Sequence, residues 1–386
     1  MKIDLILAKI KIMSRIWLFF FLMVVIAFSS CNYTLKNKSE EEPVRIIVDK
    51  DILIDSTENW TLKPGYEVIF KDTFKIIVKG KLSIKGSKTN PVILSSADSL
   101  PAWERIVFDK PTDKSSIENA IFRNTRIMGH KVDLKISHTK FYNNLQLDKF
   151  DAVVRVYGGS IHISDCFVEG NNTGEGFLIH EIIDKPAIIE NCEFRGIADA
   201  IEFLWVKRQG KIINNKILDV EQNNGDGIDF NGCDSILIEG NIFANIRDYG
   251  CEIGNDKYGP SKNIFIRNNI FTNCSRGIVV KGGSEVFAQG NIFYKNKIAV
   301  KCQVETWSKV TDANTLIVEN SIFNNSNELD YLNNENSILK ITNSCSDKTL
   351  DGNSNIIGTP QFTDPVNLDF SFSDSSSCGK VLKRHK

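Results

Sequence analysis

The sequence predicts an all-β protein, a single-stranded right-handed parallel β-helix of about 10–12 coils. The first observation is a phrase of the form Ile-x-Asn-x-x-Phe that recurs ten times between Ile117 and Ser346. The second is its period, because successive copies are 19 to 30 residues apart, which is typical of a stacked repeat. The third is that short β-branched runs bounded by Gly, Asn and Asp separate the copies, so three short strands per coil are expected.

The last position of the phrase is expected to form a ladder in the core, because matched apolar residues of successive coils stack on one another. It falls at Phe122, Phe141, Val168, Phe194, Leu218, Phe243, Phe271, Phe293, Phe323 and Ser346. A leucine-rich repeat would need Leu-x-x-Leu-x-Leu spacing, and a propeller would need blades of about 40–45 residues. Neither pattern is visible.

The third position of the phrase is a recurring polar residue. We expect it to take a left-handed backbone and to hydrogen-bond its equivalent one coil away. The residues are Asn119, Asn191, Asn215, Asn268, Asn320 and Asn343, with His138 and Asp165 as substitutes.

Composition indicates one large globular domain without a nucleic-acid partner. The chain has 386 residues, of which 42% are hydrophobic and 25% charged. That is enough apolar sequence for a large core. The net charge of −1 gives no overall attraction to nucleic acid or anionic lipid. We expect a monomer.

The first 30 residues have the features of a targeting signal. Lys11 and Arg15 supply positive charge, residues 16–28 are apolar, and small residues precede Cys31. Thirteen apolar residues are too few for a comfortable membrane span. Met13 is an alternative start. The junction resembles the lipobox of bacterial lipoproteins, which implies that Cys31 is lipidated and binds the membrane, and a plain secretory signal cut nearby is the alternative.

Residues 31–43 are predicted to be a polar tether, and residues 44–386 the β-helix with its two capping segments. Three consecutive glutamates end at Glu42. They resemble the surface-export signal of Bacteroidetes lipoproteins. The resemblance implies a bacterial outer-membrane lipoprotein of the cell envelope that faces the periplasm or the cell surface.

Eight further cysteines occur without a CxxC pair, so a zinc or redox motif is not expected. Cys166 and Cys192 occupy the same position in adjacent coils, and Cys345 with Cys378 could pin the C-terminal end. The alternative is that the thiols pack in ladders like small hydrophobic residues.

Both ends of the repeat resemble the pectin-lyase-like superfamily. The opening coils contain a Pro-Gly turn, Lys-Gly-x-Leu, Asn90-Pro-Val and Trp103-x-x-Ile-x-Phe, and the closing segment runs from Ile356 to Pro365 and on to Gly379. The resemblance spans roughly residues 55–380 and implies a complete helix without a second domain.

Three successive coils carry a carboxylate at one register, at Glu202, Asp229 and Glu252. Strand alternation predicts that they point outward in one column, with neighbours about 4.8 Å apart. Such neighbours repel each other by roughly 1 kcal/mol in water. A bound calcium ion, a shared proton or nearby basic side chains would offset this repulsion.

Candidate partners for these carboxylates lie on the same or adjacent coils. Lys281, Arg276 and His180 are predicted to transfer protons, as acid beside base in one groove is the pattern of a uronan lyase. Substrate binding is predicted for Lys207, Arg208, Asp226, Lys301, Trp205 and Tyr249. The alternative is that outward charges on a solvated sheet simply pair with one another.

Two further resemblances concern the same stretch. Asn224-Gly-Asp-Gly-Ile-Asp229 resembles a motif of polygalacturonase-like hydrolases, but the Asp-Asp, Gly-His-Gly and Arg-Ile-Lys motifs of that family do not follow. The coils between Ala200 and Ser284 more closely resemble the β-helix found with CotH-type proteins of Bacteroidetes, which implies the scaffold and no activity.

The sequence therefore predicts a lipid-anchored extracytoplasmic β-helix that binds polysaccharide. Its finer form is a calcium-assisted uronan lyase, with Glu202, Asp229 and Glu252 holding the ion. The alternative is a non-catalytic surface protein that uses the long sheet for adhesion to a glycan or a protein.

Overall fold

The computed structural model describes residues 43–97, 103–142, 152–172, 174–256, 258–304, 313–334, 336–372 and 377–382. The predicted signal segment, the lipidation site Cys31 and all but the last residue of the predicted tether lie outside these residues. The described residues from Val44 onward belong to one compact unit, Val44–Lys386.

The chain is an all-β right-handed parallel β-helix, which confirms the fold class predicted from the sequence. The strands of the N-terminal part are β1 (Arg45–Val48), β2 (Ile52–Ile54), β3 (Asn59–Leu62), β4 (Glu67–Phe70), β5 (Ile76–Val78), β6 (Lys81–Lys85), β7 (Val92–Ser96), β8 (Trp103–Asp109), β9 (Ser115–Glu118), β10 (Ala120–Arg123), β11 (Thr125–Ser137), β12 (Lys140–Tyr142) and β13 (Ala152–Ser164).

The strands of the middle part are β14 (Phe167–Glu169), β15 (Glu175–His180), β16 (Ala187–Glu190), β17 (Glu193–Arg195), β18 (Asp199–Leu204), β19 (Lys207–Ile213), β20 (Lys216–Val220), β21 (Ile228–Asn231), β22 (Asp234–Glu239), β23 (Ile242–Ile246), β24 (Tyr249–Asp256), β25 (Gly259–Pro260), β26 (Lys262–Arg267), β27 (Ile270–Thr272) and β28 (Arg276–Lys281).

The last strands are β29 (Glu285–Gln289), β30 (Ile292–Tyr294), β31 (Ile298–Gln303), β32 (Thr315–Glu319), β33 (Ile322–Asn324), β34 (Leu329–Leu332), β35 (Ile338–Thr342), β36 (Cys345–Ser346), β37 (Ile356–Ile357), β38 (Phe362–Asp364) and β39 (Asp369–Phe372). A 3-10 turn, Pro365–Asn367, joins β38 to β39, and a short helix α1 covers Gly379–Leu382.

All of these strands except β25, β38 and β39, which form antiparallel pairs, stack into three parallel sheets along the helix axis. Sheet 1 is β1-β4-β7-β10-β12-β14-β17-β20-β23-β27-β30-β33-β36-β37. Sheet 2 is β2-β5-β8-β11-β13-β15-β18-β21-β24-β28-β31-β34, and sheet 3 is β3-β6-β9-β11-β13-β16-β19-β22-β26-β29-β32-β35. The long strands β11 and β13 bend from sheet 2 into sheet 3, so these two coils have no loop at that corner.

Phenylalanine ladders fill the core, as the phrase predicts. Ring centroids of Phe243, Phe271, Phe293 and Phe323 follow one another at 4.7, 5.2 and 5.0 Å. One assigned member is wrong. Ile217, not Leu218, pairs with Phe194 and with Phe243 in sheet 1. This coil contains two consecutive asparagines, Asn214 and Asn215, and the phrase was aligned on the second of them. The left-handed residue is the first, so the core position is Ile217.

The recurring asparagines occupy two adjacent positions rather than one. The first is a left-handed turn with φ near 50°, as at Asn191 and Asn268. The next residue forms the buried amide ladder Asn215–Asn241–Asn269–Asn291, in which each side-chain N–H donates to the following Oδ1 at 2.9–3.1 Å. Asn215 was therefore assigned to the wrong position of the pair.

The C-terminal segment packs on the outer face of sheet 1. Phe370, Cys378 and Val381 form a buried cluster with outward residues of that sheet. Cys345 and Cys378 form a disulfide, whereas Cys166 and Cys192 are buried free thiols. No helix in the described part of the chain is both long and apolar enough to cross a membrane.

Candidate functional site

The outer face of sheet 2 carries a column of three carboxylates, which we call the acidic column. Glu202 is in register with Asp229, and Asp229 is in register with Glu252. All three side chains are partly exposed, as the strand alternation predicts, while Ile201, Ile228 and Cys251 point into the core. The side chains point outward because residues alternate between the two faces of a strand, and they align because successive coils stack in register.

A second column lies three residues earlier along the chain, and of its members only Asp226 was among the residues predicted from the sequence. It consists of Glu175, Asp199 and Asp226. The backbone N–H of Asp226 donates to Oδ1 of Asp199 at 2.8 Å, and that of Tyr249 donates to Oδ1 of Asp226 at 2.9 Å. An acidic residue three positions before the acidic column in two successive coils is the signal that could have revealed it.

Burial and mutual repulsion raise the pKa of these carboxyl groups. Burial and then the charge of Asp199 raise the pKa of Glu175 to about 7. Burial and then the charges of Glu175 and Asp199 raise the pKa of Glu202 well above its usual range, and a hydrogen bond joins Glu175 to Glu202. A proton shared within this pair would offset the repulsion between its two carboxyl groups.

The two acidic columns are coupled through Asp226 and Asp229. Burial and then the charge of Glu252 raise the pKa of both carboxyl groups well above the usual range. Asp229 also accepts a hydrogen bond from the Asn231 amide at 3.1 Å. Carboxyl groups that stay protonated near neutral pH can act as general acids.

Basic side chains close the C-terminal end of the acidic column. Lys281 Nζ lies 2.7 Å from Glu252 Oε1, and Arg276 lies 2.6 Å from Asp248 Oδ1. Both cations also contact the ring of Tyr249, at 4.6 and 5.1 Å from its centroid. Two of the residues predicted to transfer protons are therefore ion-paired next to the carboxylates.

Lys301 continues the acidic column beyond Val279, two coils after Glu252. Burial, and then the positive charges of Arg276 and Lys281, lower the pKa of its ammonium group. Within the described residues it forms no ion pair. Lys301 thus gives the outer face of sheet 2 a cationic end beyond the carboxyl groups, and we call this face, from Glu202 to Lys301, the groove.

His180 lies on the coil before Glu202, two residues further along the strand. It is 8% exposed, its ring packs edge-on against Tyr157 and Tyr258, and Nε2 is 3.6 Å from Glu181. His180 therefore lies beside the acidic column rather than in it, because Leu178 is the residue of this strand that is in register with Glu202.

The remaining predicted substrate-binding residues are divided between the groove and its rim. Trp205 takes a left-handed backbone at the corner of sheets 2 and 3, with its ring 5.7 Å from Lys207 Nζ. Lys207 and Arg208 begin a strand of sheet 3, and Arg208 pairs with Asp184. The structure does not bring these two cations to the carboxyl groups.

A short antiparallel arm made by β24 and β25 forms the wall of the groove at this corner. Its Tyr258 extends back across two coils to contact Trp205 and His180, with ring centroids 6.2 and 5.1 Å apart. Gly232 allows the crossing, because a Cβ at that position would lie 2.4 Å from Tyr258 Cβ. The arm thus places the Tyr258 ring next to Trp205 and His180 at the edge of sheet 2.

The predicted calcium ion would need several oxygen ligands arranged around one point. In the residues that the structure describes, no three Asp, Glu, His or Cys side chains are arranged to hold a metal ion. Calcium at Glu202, Asp229 and Glu252 stays a prediction.

Comparisons with known proteins show the fold. A family model described as the right-handed beta helix region matches residues 203–359. No curated protein matches the chain. This chain is similar in structure to the catalytic domain of a GH87 alpha-1,3-glucanase in complex with tetrasaccharides. The match covers 81% of this chain and 68% of that one, with a TM-score of 0.54 and 11% sequence identity. The match to the same domain in complex with nigerose covers 87% of this chain and 68% of that one, with a TM-score of 0.54 and 12% sequence identity.

Proposed function

We propose that the protein binds a polysaccharide in the groove of sheet 2 and hydrolyses it with carboxyl groups of the two acidic columns. The observation that carries the proposal is the cluster of outward carboxyl groups whose pKa is raised by burial and by one another. Glucanase domains with the same fold hold a tetrasaccharide or nigerose. The aromatic wall beside the cluster offers surfaces on which sugar rings can stack.

In the proposed reaction Glu202 is the general acid and Glu252 the general base. Burial beside Glu175 raises the pKa of Glu202, which favours its protonated form, whereas Glu252 pairs with the Lys281 ammonium. Glu252 takes a proton from water, the water oxygen bonds to the anomeric carbon, and the glycosidic C–O bond breaks. The leaving oxygen receives the proton of Glu202, so that atoms and charge balance.

The spacing of the two groups favours inversion at the anomeric carbon. Glu202 and Glu252 are two coils apart in one column, so their backbone positions differ by about 9.6 Å. This two-coil spacing is nearer to the roughly 6.5–9.5 Å between the carboxyl groups of inverting glycoside hydrolases than to the roughly 5–5.5 Å of retaining ones. Asp229 lies between them, where it faces the sugar ring.

The test is an incubation of residues 44–386 with neutral glucans, pectate, alginate and sulfated glycans, with and without calcium. New reducing ends without absorbance near 235 nm indicate hydrolysis, and that absorbance would indicate elimination. Glu202→Gln and Glu252→Gln are each expected to lower kcat by at least about 10²-fold, the size of a general acid–base contribution. Glu285→Gln, on sheet 3, is the matched control and should leave the rate unchanged.

The alternatives give different results in the same assay. Calcium-dependent absorbance near 235 nm would replace hydrolysis by the uronan elimination predicted from the sequence. Binding of a polymer without any product would favour the non-catalytic adhesion protein. Binding and cleavage that are unchanged in Glu202→Gln would overturn the assignment of the groove.

Lipid anchorage at Cys31 and the outer-membrane location belong to the same proposal, as does membership of the Bacteroidetes lipoproteins. They are supported by the signal-like residues 1–30 and the lipobox-like junction. Labelling with a fatty acid in a bacterial host should mark the full chain and should fail for Cys31→Ser. Equal labelling of both proteins would contradict the anchor.

A further inference from the structure

A cavity of about 710 Å³ opens at the corner of sheets 2 and 3, on the N-terminal side of the acidic column. The stacked rings of His130 and Tyr157, 5.4 Å between centroids, form one wall. Tyr157 also contacts His180, so an aromatic row of His130, Tyr157, His180, Tyr258 and Trp205 connects the cavity with the groove.

The cavity exists because one coil lacks a side chain at the corner. Residues Lys110, Lys131, Gly158 and Glu181 follow one another in register there, and we call them the corner column. All four have a left-handed backbone, with φ of 49°, 49°, 68° and 56°. Gly158 leaves open the space that a side chain would occupy between Lys131 and Glu181.

Lys110 and Lys131 occupy two adjacent positions of the corner column. A left-handed backbone costs a residue with a Cβ about 1–2 kcal/mol, and Gly or Asn is the ordinary choice. Lys110 and Lys131 are one coil apart, or about 4.8 Å along the backbone, and two ammonium groups held at that spacing would repel by roughly 1 kcal/mol in water.

Within the part of the chain that the structure describes, the other charges around the cavity have partners elsewhere. Lys185 pairs with Asp133 at 2.9 Å, Asp109 lies 3.9 Å from Lys79, and Glu181 lies 3.6 Å from His180. Neither Lys110 nor Lys131 forms an ion pair with a residue of the described ranges. An anionic group in the cavity would relieve their repulsion.

We infer that this cavity is a subsite for an acidic sugar residue, whose ring stacks on Tyr157 and His130 and whose carboxylate or sulfate group binds Lys110 and Lys131. The inference rests on the proposed function, since the sugar belongs to the same polysaccharide that occupies the groove. His130 and Glu202 differ by three coils, which is about 14 Å along the axis. The bound chain therefore extends from the carboxyl groups toward the N-terminal end.

The test measures binding by calorimetry at low salt, with residues 44–386 and oligosaccharides of galacturonate, of mannuronate and guluronate, of sulfated disaccharides, and of glucose. The wild-type protein should bind one acidic series at least about tenfold more tightly than glucose oligomers, because charge-assisted hydrogen bonds to two lysines are formed. The series that binds distinguishes carboxylate from sulfate.

Lys110→Ala with Lys131→Ala should remove that preference, and replacement of both by Arg should retain it. Tyr157→Ala should weaken binding of long acidic oligomers by about tenfold while leaving the shortest ones unchanged. The matched control is Lys135→Ala with Lys211→Ala, two exposed lysines on sheet 3.

Three results separate this inference from the proposed function. Acidic oligomers that bind through the lysines without being cleaved would retain the subsite and overturn hydrolysis. Cleavage of a neutral glucan, with affinity unaffected by the double lysine variant, would retain hydrolysis and overturn the subsite. Equal losses in the control double variant would also overturn it, because nonspecific charge would then explain the binding.

Discussion

At the scale of single residues, the properties of the site come from carboxyl groups that neighbouring coils force together. Glu175 is 4% exposed, and its pKa of about 7 reflects burial first and the charge of Asp199 second. Glu252 is compensated differently, by an ion pair with Lys281. Protonation therefore reduces the repulsion between carboxyl groups at the Glu175 end of the cluster, and the Lys281 ammonium reduces it at the Glu252 end.

Glu175 should make the protein more stable at low pH. Its folded pKa is raised from 4.5 to about 7, so its stabilising contribution is fully present below pH 4.5 and is lost as the pH rises through 7. Relative to wild type, Glu175→Gln should therefore gain up to about 3 kcal/mol in free energy of unfolding between pH 4.5 and pH 8. Urea unfolding at several pH values measures this difference, and a gap that does not change with pH would contradict it.

Lys281→Met should destabilise the protein at pH 8, because it leaves Glu252 poorly solvated and without its ammonium partner. Loss of one member of a buried pair costs about 3–5 kcal/mol. The double variant with Glu252→Gln should recover most of the loss. Thermal or urea unfolding of both variants is the measurement, and a double variant as unstable as the single one would show that packing against Tyr249 matters more than charge.

At the scale of elements, the corner between sheets 1 and 3 depends on paired positions within the repeated phrase. Each left-handed residue turns the chain, and the residue after it can donate and accept amide hydrogen bonds along the axis. The ladder satisfies buried backbone groups that the turn would otherwise leave unpaired.

Asn241→Ala should be strongly destabilising. The Asn241 side chain accepts from the Asn215 backbone N–H at 2.8 Å and donates to the carbonyl oxygen of Ile212 and to Asn269 Oδ1, both at 2.9 Å. Its loss leaves several buried groups without partners, so about 3 kcal/mol of stability should disappear. Asn224→Ala, in an exposed turn, should change the free energy of unfolding by less than about 0.5 kcal/mol. Similar effects of the two changes would refute the structural role of the ladder.

At the scale of the whole molecule, stability passes from coil to coil, because each coil buries only its neighbours. The last coils are covered by the C-terminal segment, which a disulfide joins to sheet 1. The link closes a loop across a sequence separation of 33 residues.

Cys378→Ser should destabilise the C-terminal end by about 3–4 kcal/mol, the loop-closure contribution of a bridge of this length. Proteolysis should then begin within the segment that covers sheet 1, while the N-terminal coils stay protected. Mass spectrometry of the fragments is the measurement. Cys166→Ser, at a buried free thiol, is the comparison, and an identical cleavage pattern in the two variants would contradict the role of the bridge.

The sequence by itself determined the coil, because the period of the phrase and the alternation of apolar residues are local properties that stacking simply repeats. It also placed Glu202, Asp229 and Glu252 in one column, since alternation fixes the side of a strand on which each residue lies.

Only the tertiary structure decided what surrounds that column. Loops of unequal length set the register between coils, so Glu175 and Asp199 came beside Glu202, and Lys281 came to pair with Glu252. The arm that carries Tyr258 crosses two coils, which no repeat unit encodes. The pKa of each carboxyl group depends on those neighbours and on burial, and both arise only when distant segments pack together.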